Sequence, residues 1–178
     1  MNIVILSGSP HKKGTSALLA DAFTDGARQA GHTVTRFDCA FLQVGGCRGC
    51  DYCGAHDGVC VQRDDMAQIL PAVLAADVVV FASGVYYFGL TAQLKAVIDR
   101  FYAGNSRLMT QKKRAALLIT CADSAAPTVD ATVAHYHAVC DYLGWQDAGM
   151  VTGLGLSTRA DAEASDYPAR AKALALAL

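Results

Sequence analysis

Short apolar runs alternate along this chain with longer stretches in which apolar residues recur every three or four positions. Ile3–Leu6, Val78–Ala82 and Ala115–Cys121 show no polar alternation. Strands of that kind are buried on both faces, as in the middle of a parallel sheet. Thr33–Phe37 and Gly149–Thr152 complete a set of five strands. Between them the period changes to that of a helix. Leu18–Ala30 carries Leu18, Leu19, Ala22 and Phe23 at helical spacing, with Gly31 past its end. Asp64 or Asp65 can cap a helix running to about Ala76, which Pro71 is placed to bend. Thr91–Tyr102 places Leu94, Val97, Ile98 and Phe101 on one face, Val129–Leu143 stops at Gly144, and Ala160–Leu178 closes the chain. Five βα repeats predict an α/β fold with a doubly wound parallel sheet between two helical layers, and right-handed crossovers restrict its topology.

One stretch breaks the rhythm. Residues 39–63 have no clear period and are rich in Gly and Cys. Loops of that length inside a domain are usually functional. The chain therefore reads as one domain over residues 1–178 with a Cys-rich insertion at about 39–63.

Composition narrows the class. Hydrophobic residues make up 53% of the 178, and charged residues 17%, which excludes a disordered chain. Fifteen basic residues stand against sixteen acidic ones without a long run of either sign, so no nucleic acid or anionic membrane is expected as a partner. No apolar run reaches the ~18 residues of a membrane span. The first run stops at Ser7-Gly8-Ser9 and does not read as a signal peptide. A cytoplasmic location is expected, where the seven cysteines are ligands, redox groups or small buried hydrophobes and not a disulfide framework.

Candidate chemistry lies where strands end. Ser7-Gly8-Ser9-Pro10-His11-Lys12-Lys13-Gly14-Thr15-Ser16 follows a buried strand and opens a helix. Helix N-termini offer unpaired N–H groups to anions. Ser9, Thr15 and Ser16 supply hydroxyls, Gly14 permits close approach, and Lys12 or Lys13 adds charge. Neither the dinucleotide glycine pattern nor the Walker pattern is present. A hydroxyl-rich turn suits a terminal monophosphate; an ordinary capped turn is the plain alternative. Ser83-Gly84-Val85-Tyr86-Tyr87-Phe88-Gly89-Leu90 follows the third strand, beside that turn in an open α/β sheet. Its aromatic rings can pack on a flat ligand, or serve as core or as a dimer contact. Cys121-Ala122-Asp123-Ser124 ends the fourth strand and forms a third, weaker wall. No acid–base triad is visible, and Ser7 and Ser9 have no His/Asp partner by spacing.

These residues resemble a known family. Ser7-Gly8-Ser9-Pro10 with Thr15-Ser16, Val85-Tyr86-Tyr87-Phe88-Gly89 with Ala92-Gln93-Leu94-Lys95, and Asp99-Arg100-Phe101 resemble the flavodoxin-like NADPH-dependent FMN reductases over residues 1 to about 155. The Cys47–Cys60 cluster followed by Asp64-Asp65-Met66 looks like the branch that includes the iron–sulfur flavoproteins. The resemblance implies a 2-1-3-4-5 sheet and FMN held by three loops. Those loops are Ser9, His11, Lys13, Gly14, Thr15 and Ser16; Gly84, Val85, Tyr86, Tyr87, Phe88 and Gly89; and Cys121, Asp123 and Ser124. It also implies a homodimer, or a dimer of dimers, through the Tyr86–Tyr102 region. His11 stands where Arg is common, and Gly84 where Pro usually precedes Val-Tyr.

Cys47-x2-Cys50-x2-Cys53-x6-Cys60 is the sharpest chemical feature. Compact two-residue gaps suit a [4Fe–4S] cluster. Structural zinc usually pairs two separate C-x2-C knuckles, although His56 can replace one ligand. A metal-free surface loop is the third reading. Cys39, Cys121 and Cys140 lie outside the spacing. His135 and His137 point different ways on one helix, and Trp145 reads as packing. The expected activity is an FMN-dependent NAD(P)H oxidoreductase that takes hydride from NAD(P)H and passes electrons to a small-molecule or redox-protein acceptor. The rivals are an electron-transfer module carrying FMN with or without [4Fe–4S], and a structural zinc-loop protein. The near-neutral charge favours the reductase, since carrier flavodoxins tend to be strongly acidic.

Overall fold

The computed structural model describes all 178 residues. In chain order the elements are β1 (Asn2–Ser7), α1 (Thr15–Gln29), β2 (Thr33–Asp38), α2 (Met66–Ala75), β3 (Val78–Tyr86), β4 (Gly89–Leu90), α3 (Ala92–Asp99), α4 (Asn105–Thr110), β5 (Arg114–Thr120), α5 (Asp130–Leu143), β6 (Gln146–Gly153), α6 (Arg159–Glu163) and α7 (Tyr167–Leu176). Between β2 and α2 the chain makes only two short 3₁₀ turns, Cys39–Phe41 and Tyr52–Ala55.

The sheet runs β2-β1-β3-β5-β6 with every neighbour parallel, while β4 folds back antiparallel on the end of β3. Leaving out that short hairpin strand, the order is the expected 2-1-3-4-5. Alternation along each strand splits the apolar residues between two faces. Val4, Leu6, Val79, Phe81, Leu117 and Ile119 join residues of α2, α3 and α5 in one core. Ile3, Ile5, Val78, Val80, Ala116 and Leu118 join residues of α1 and α7 in the other. Continuous apolar runs are thus required because both faces of the sheet are covered.

Four local details differ from the sequence expectation. The helix expected over Thr91–Tyr102 ends at Asp99; a 3₁₀ turn, Arg100–Gly104, follows, and the chain resumes as α4. That tighter turn buries Arg100 and Phe101 together. It also brings Gly104 against Leu70, where a Cβ would lie 3.0 Å from Leu70 Cδ1. The last helix is broken into α6 and α7, because Pro168 in the first turn of α7 has no N–H with which to continue the ladder. β6 starts earlier, at Gln146, and β3 runs on to Tyr86 because β4 pairs with its end. Pro71 lies inside α2 without ending it. No helix is long and apolar enough to cross a membrane.

Candidate functional site

The carboxyl ends of β1, β3 and β5 open into one cleft of ≈ 730 Å³. The turn after β1 is fixed from below: Gly8 N–H donates to Ala82 O of β3 at 2.8 Å. A Cβ on Gly8 would come within 2.7 Å of Leu94 Cβ, so only glycine allows this approach to α3. Ser9 Oγ–H donates to His11 O (3.0 Å) and accepts from His11 N–H (3.2 Å), while Gly14 N–H donates to the same carbonyl at 3.0 Å. This closes the turn immediately before α1. No side chain caps the N-terminus of α1. Its first N–H groups are therefore free to meet an anion. Thr15 and Thr120 share a hydroxyl hydrogen bond of 2.8 Å, which ties the turn to β5.

The second wall begins at Ser83, whose Oγ accepts from Thr91 N–H at 3.0 Å and donates to Gly84 O at 2.7 Å. Beyond it the β3–β4 hairpin turns at Tyr87 and Phe88, with φ of 46° and 62°. Two consecutive left-handed residues make a two-residue turn that matches strand twist, a geometry that normally calls for Asn and Gly. Both rings stand out from the surface. In the third wall, Cys121 N–H donates to Gly153 O (2.9 Å), and Leu156 N–H to Cys121 O (2.8 Å), so the β6–α6 loop is stitched to this edge. Asp123 accepts from Thr128 Oγ and Ala125 N–H, which hold its carboxyl below the usual range. Burial, and then Asp123, push the Cys121 thiol up, which favours the thiol over the thiolate.

His11, Lys13, Gly14, Thr15, Gly84, Val85, Tyr86 and Cys121 line this cleft. Ser9 and Ser16 are buried and do not line it. Tyr87, Phe88, Gly89, Asp123 and Ser124 lie outside the lining, the first three in the hairpin and the others on the exposed β5–α5 loop. Sequence reasoning missed Phe41, Thr120, Leu156, Ser157 and Arg159, while Ala122 lines the cleft as part of the expected third wall. Arg159 had a readable signal, since Thr158 and Asp161 form a capping box at the start of α6. Lys12 sits 4.8 Å over the Phe41 ring. His11, Lys12, Lys13 and Arg159 line the cleft and no carboxylate does. Its electrostatics favour an anionic ligand.

A second feature lies on the Cys-rich loop. Cys47, Cys50, Cys53 and Cys60 line one narrow recess together with Arg48, Asp51, Arg100 and Tyr102. No three His, Cys, Asp or Glu side chains are placed to share a single metal ion. His56 stacks on Tyr52 at 3.7 Å, its Nδ1 meets Tyr52 O at 2.8 Å, and it does not line the recess. Beneath the recess Arg100 is 2% exposed and pairs with Asp64 at 2.6 Å. Asp64 also accepts from Gly45 N–H (3.1 Å) and Met66 N–H (3.2 Å). Burial alone would raise the Asp64 pKa; hydrogen bonds from Arg100 and these two N–H groups outweigh it and hold the carboxyl below its ordinary value.

The remaining candidates are structural. Burial pushes the Cys39 thiol up to about 12 and that of Cys140 to about 11. Trp145 is buried and donates to Leu108 O at 3.2 Å. His137 lies 3.4 Å from Asp147, while His135 is pushed down by burial and then by Lys95.

A parallel 2-1-3-4-5 sheet with an anion-seeking turn and an aromatic loop at its carboxyl edge defines the flavodoxin-like class. The profile of the NADPH-dependent FMN reductases matches residues 1–151, and the chain belongs to that family. This places it among FMN-dependent oxidoreductases. An iron-sulfur flavoprotein of Archaeoglobus fulgidus is 31% identical over 156 residues, covering 88% of this chain and 70% of that protein. An iron-sulfur flavoprotein of Methanosarcina thermophila is 34% identical over 100 residues, 56% of this chain and 52% of that protein. The chain thus matches about half the length of the latter. The NAD(P)H:quinone oxidoreductase from Methanothermobacter marburgensis superposes with a TM-score of 0.71 at 18% identity, over 99% of this chain and 96% of that one, and shares its fold.

Proposed function

We propose that this chain is an FMN-dependent NAD(P)H oxidoreductase that delivers electrons to a quinone-like molecule, a free flavin or a redox protein. The observation that carries the reading is the uncapped N-terminus of α1 facing a cleft lined by His11, Lys12, Lys13 and Arg159 without a carboxylate. An uncapped helix end and surplus positive charge fit the phosphate of FMN. Bound FMN supplies the redox chemistry, accepting hydride from NAD(P)H and releasing electrons to the acceptor. The protein's part is to bind, orient and shield. The α1 N–H groups, with Thr15, Lys13 and Gly14, hold the phosphate. Gly84, Val85 and Tyr86 offer backbone and ring to the flat isoalloxazine. Thr120 and Cys121 close the third side without adding charge. Ser9, Ser16, Tyr87, Phe88, Gly89, Asp123 and Ser124 support these contacts by fixing the three loops. The exposed Tyr87 and Phe88 supply the homodimer surface. A reducing cytoplasm suits the seven unpaired thiols.

The cysteine recess supports a second redox centre. Four cysteines line one recess with Arg100, whose buried Nε has no acceptor. The residues therefore fit an anionic thiolate-bound group. A zinc ion needs its sulfurs about 2.3 Å from one point, whereas a cubane takes each thiolate on a different iron. The compact two-residue gaps of the sequence are the ground for preferring [4Fe–4S], held by Cys47, Cys50, Cys53 and Cys60 and exchanging single electrons. That observation also keeps the electron-transfer reading in play.

Stopped-flow mixing of FMN-loaded protein with NADPH and with NADH tests the proposal. Bleaching of the flavin absorbance by at least one nucleotide is expected. No bleaching with either, alongside reduction by ferredoxin, would establish the carrier instead.

A further inference from the structure

Arg100 is nearly fully buried, yet its guanidinium is incompletely used. Nη1 donates to Gly45 O at 2.9 Å and to Asp64 Oδ2 at 2.6 Å, and Nη2 donates to Asp64 Oδ1 at 3.2 Å. Nε has no acceptor. Leaving a buried charged donor unpaired is costly, more so than for a neutral one. The same side chain lines the recess of the four cysteines.

Local chain geometry explains why an anchor is needed. Cys47, Cys50 and Cys53 follow one another at two-residue gaps, but Cys60 comes only after six intervening residues. The short gaps orient the first three thiols; the long one leaves Cys60 to be fixed by tertiary contact. Arg100 lines the same recess as Cys60 and sits at the neck of the loop. Its bonds to Gly45 and Asp64 clamp the two ends of the loop, and Gln62 adds a 3.1 Å bond to Gly46 O at the same neck.

We propose that Arg100 is the positioning residue of the Cys-rich loop, with its Nε–H donating to the Cys60 sulfur when that sulfur ligates a [4Fe–4S] cluster. This rests on the cluster reading given above. A hydrogen bond to a ligand sulfur stabilises the more negative, reduced state of a cluster and so raises its potential. Asp64 keeps the guanidinium plane fixed while its Nε is presented.

The test compares anaerobically reconstituted wild-type protein with Arg100→Lys, which keeps the charge and loses the Nε–H. Iron and sulfide content, loss of iron to a chelator, FMN content and the midpoint potential of the iron–sulfur signal are measured. Arg100→Lys is expected to bind FMN as the wild type does. It should lose iron to chelator roughly 10- to 100-fold more readily, and its remaining cluster should have a more negative potential. Equal retention with an equal potential overturns the role of Arg100 and leaves the cluster standing. A wild type that takes up no iron and sulfide overturns the cluster reading itself. A second measurement leaves Arg100 intact, so it does not depend on the variant folding. Protein carrying ¹⁵N-arginine in an Arg48→Lys background, where Arg100 is the arginine left at the recess, is reduced and read by pulsed EPR. A ¹⁵N coupling to the cluster is expected; its absence overturns the proposal.

Discussion

Replacing Asp64 by Asn strikes the ion pair on which the Cys-rich loop closes. The carboxylate is 14% exposed and Arg100 2%, so water can do little to replace the lost charge. The substituted amide would retain one acceptor for the contacts now made by Arg100 Nη1 and Nη2 and by the N–H groups of Gly45 and Met66. Breaking one side of a buried pair typically costs about 3–5 kcal/mol; with Gly45 O still bound to the guanidinium, a loss of about 3 kcal/mol is expected. At this chain length that lowers Tm by about 6–12 °C. Urea unfolding of the metal-free, FMN-saturated protein measures it, with the midpoint shifting and the slope unchanged. The pH dependence has a definite sign. Asp64 has a depressed folded pKa, so its stabilisation is fully present above the unfolded value of about 3.9. It is lost as pH falls through the lower folded value. The wild-type and Asp64→Asn curves should therefore converge in acid. A loss below about 1 kcal/mol at neutral pH, the level of exposed pairs, would refute the reasoning, as would a gap that widens on acidification.

Three further outcomes are expected. Ser9→Ala removes the hydroxyl that closes the turn before α1 and, on the proposed reading, should raise the Kd for FMN about tenfold, a loss of about 1.4 kcal/mol; calorimetric titration giving an unchanged Kd contradicts this. Tyr87→Asn with Phe88→Gly relieves two left-handed aromatic residues. It should stabilise the fold by about 1 kcal/mol and weaken self-association in sedimentation, whereas a less stable protein or an unaltered dimer speaks against it. With the metal-free protein at about pH 8, near the ordinary thiol pKa, iodoacetamide should label the exposed Cys47 and Cys50 first. Cys39 and Cys140, held near 12 and 11 by burial, should stay unlabelled until unfolding; early label at either by mass spectrometry counts against their burial.

Strand positions were legible because a sheet covered on both faces needs uninterrupted apolar runs, and Ile3–Leu6, Val78–Ala82 and Ala115–Cys121 are such runs. Element ends were less so. The 3₁₀ turn at Arg100 buries a side chain that pairs with Asp64, 36 positions away, a partner that no local period reveals. The β3–β4 hairpin escaped notice because its turn carries Tyr87 and Phe88 where Asn and Gly would have announced it. Of the cleft, the loops after β1, β3 and β5 were readable as strand ends. Phe41, Leu156 and Ser157 reach it from segments whose sequence carries no mark of the crevice, and the capping box before Arg159 marks only the start of a helix.

The sequence by itself determined the alternation of strands and helices, the hydroxyl-rich turn at the head of α1 and the spacing of the four cysteines. Each is local, being set by backbone propensity, hydrophobic period or side-chain chemistry within a few residues. Tertiary structure alone decided that the cleft is lined by basic groups without a carboxylate. It also decided that the cysteines share a recess, and that Arg100 reaches it with a donor to spare. Those properties depend on which distant segments meet once both faces of the sheet are buried, and that is settled by packing.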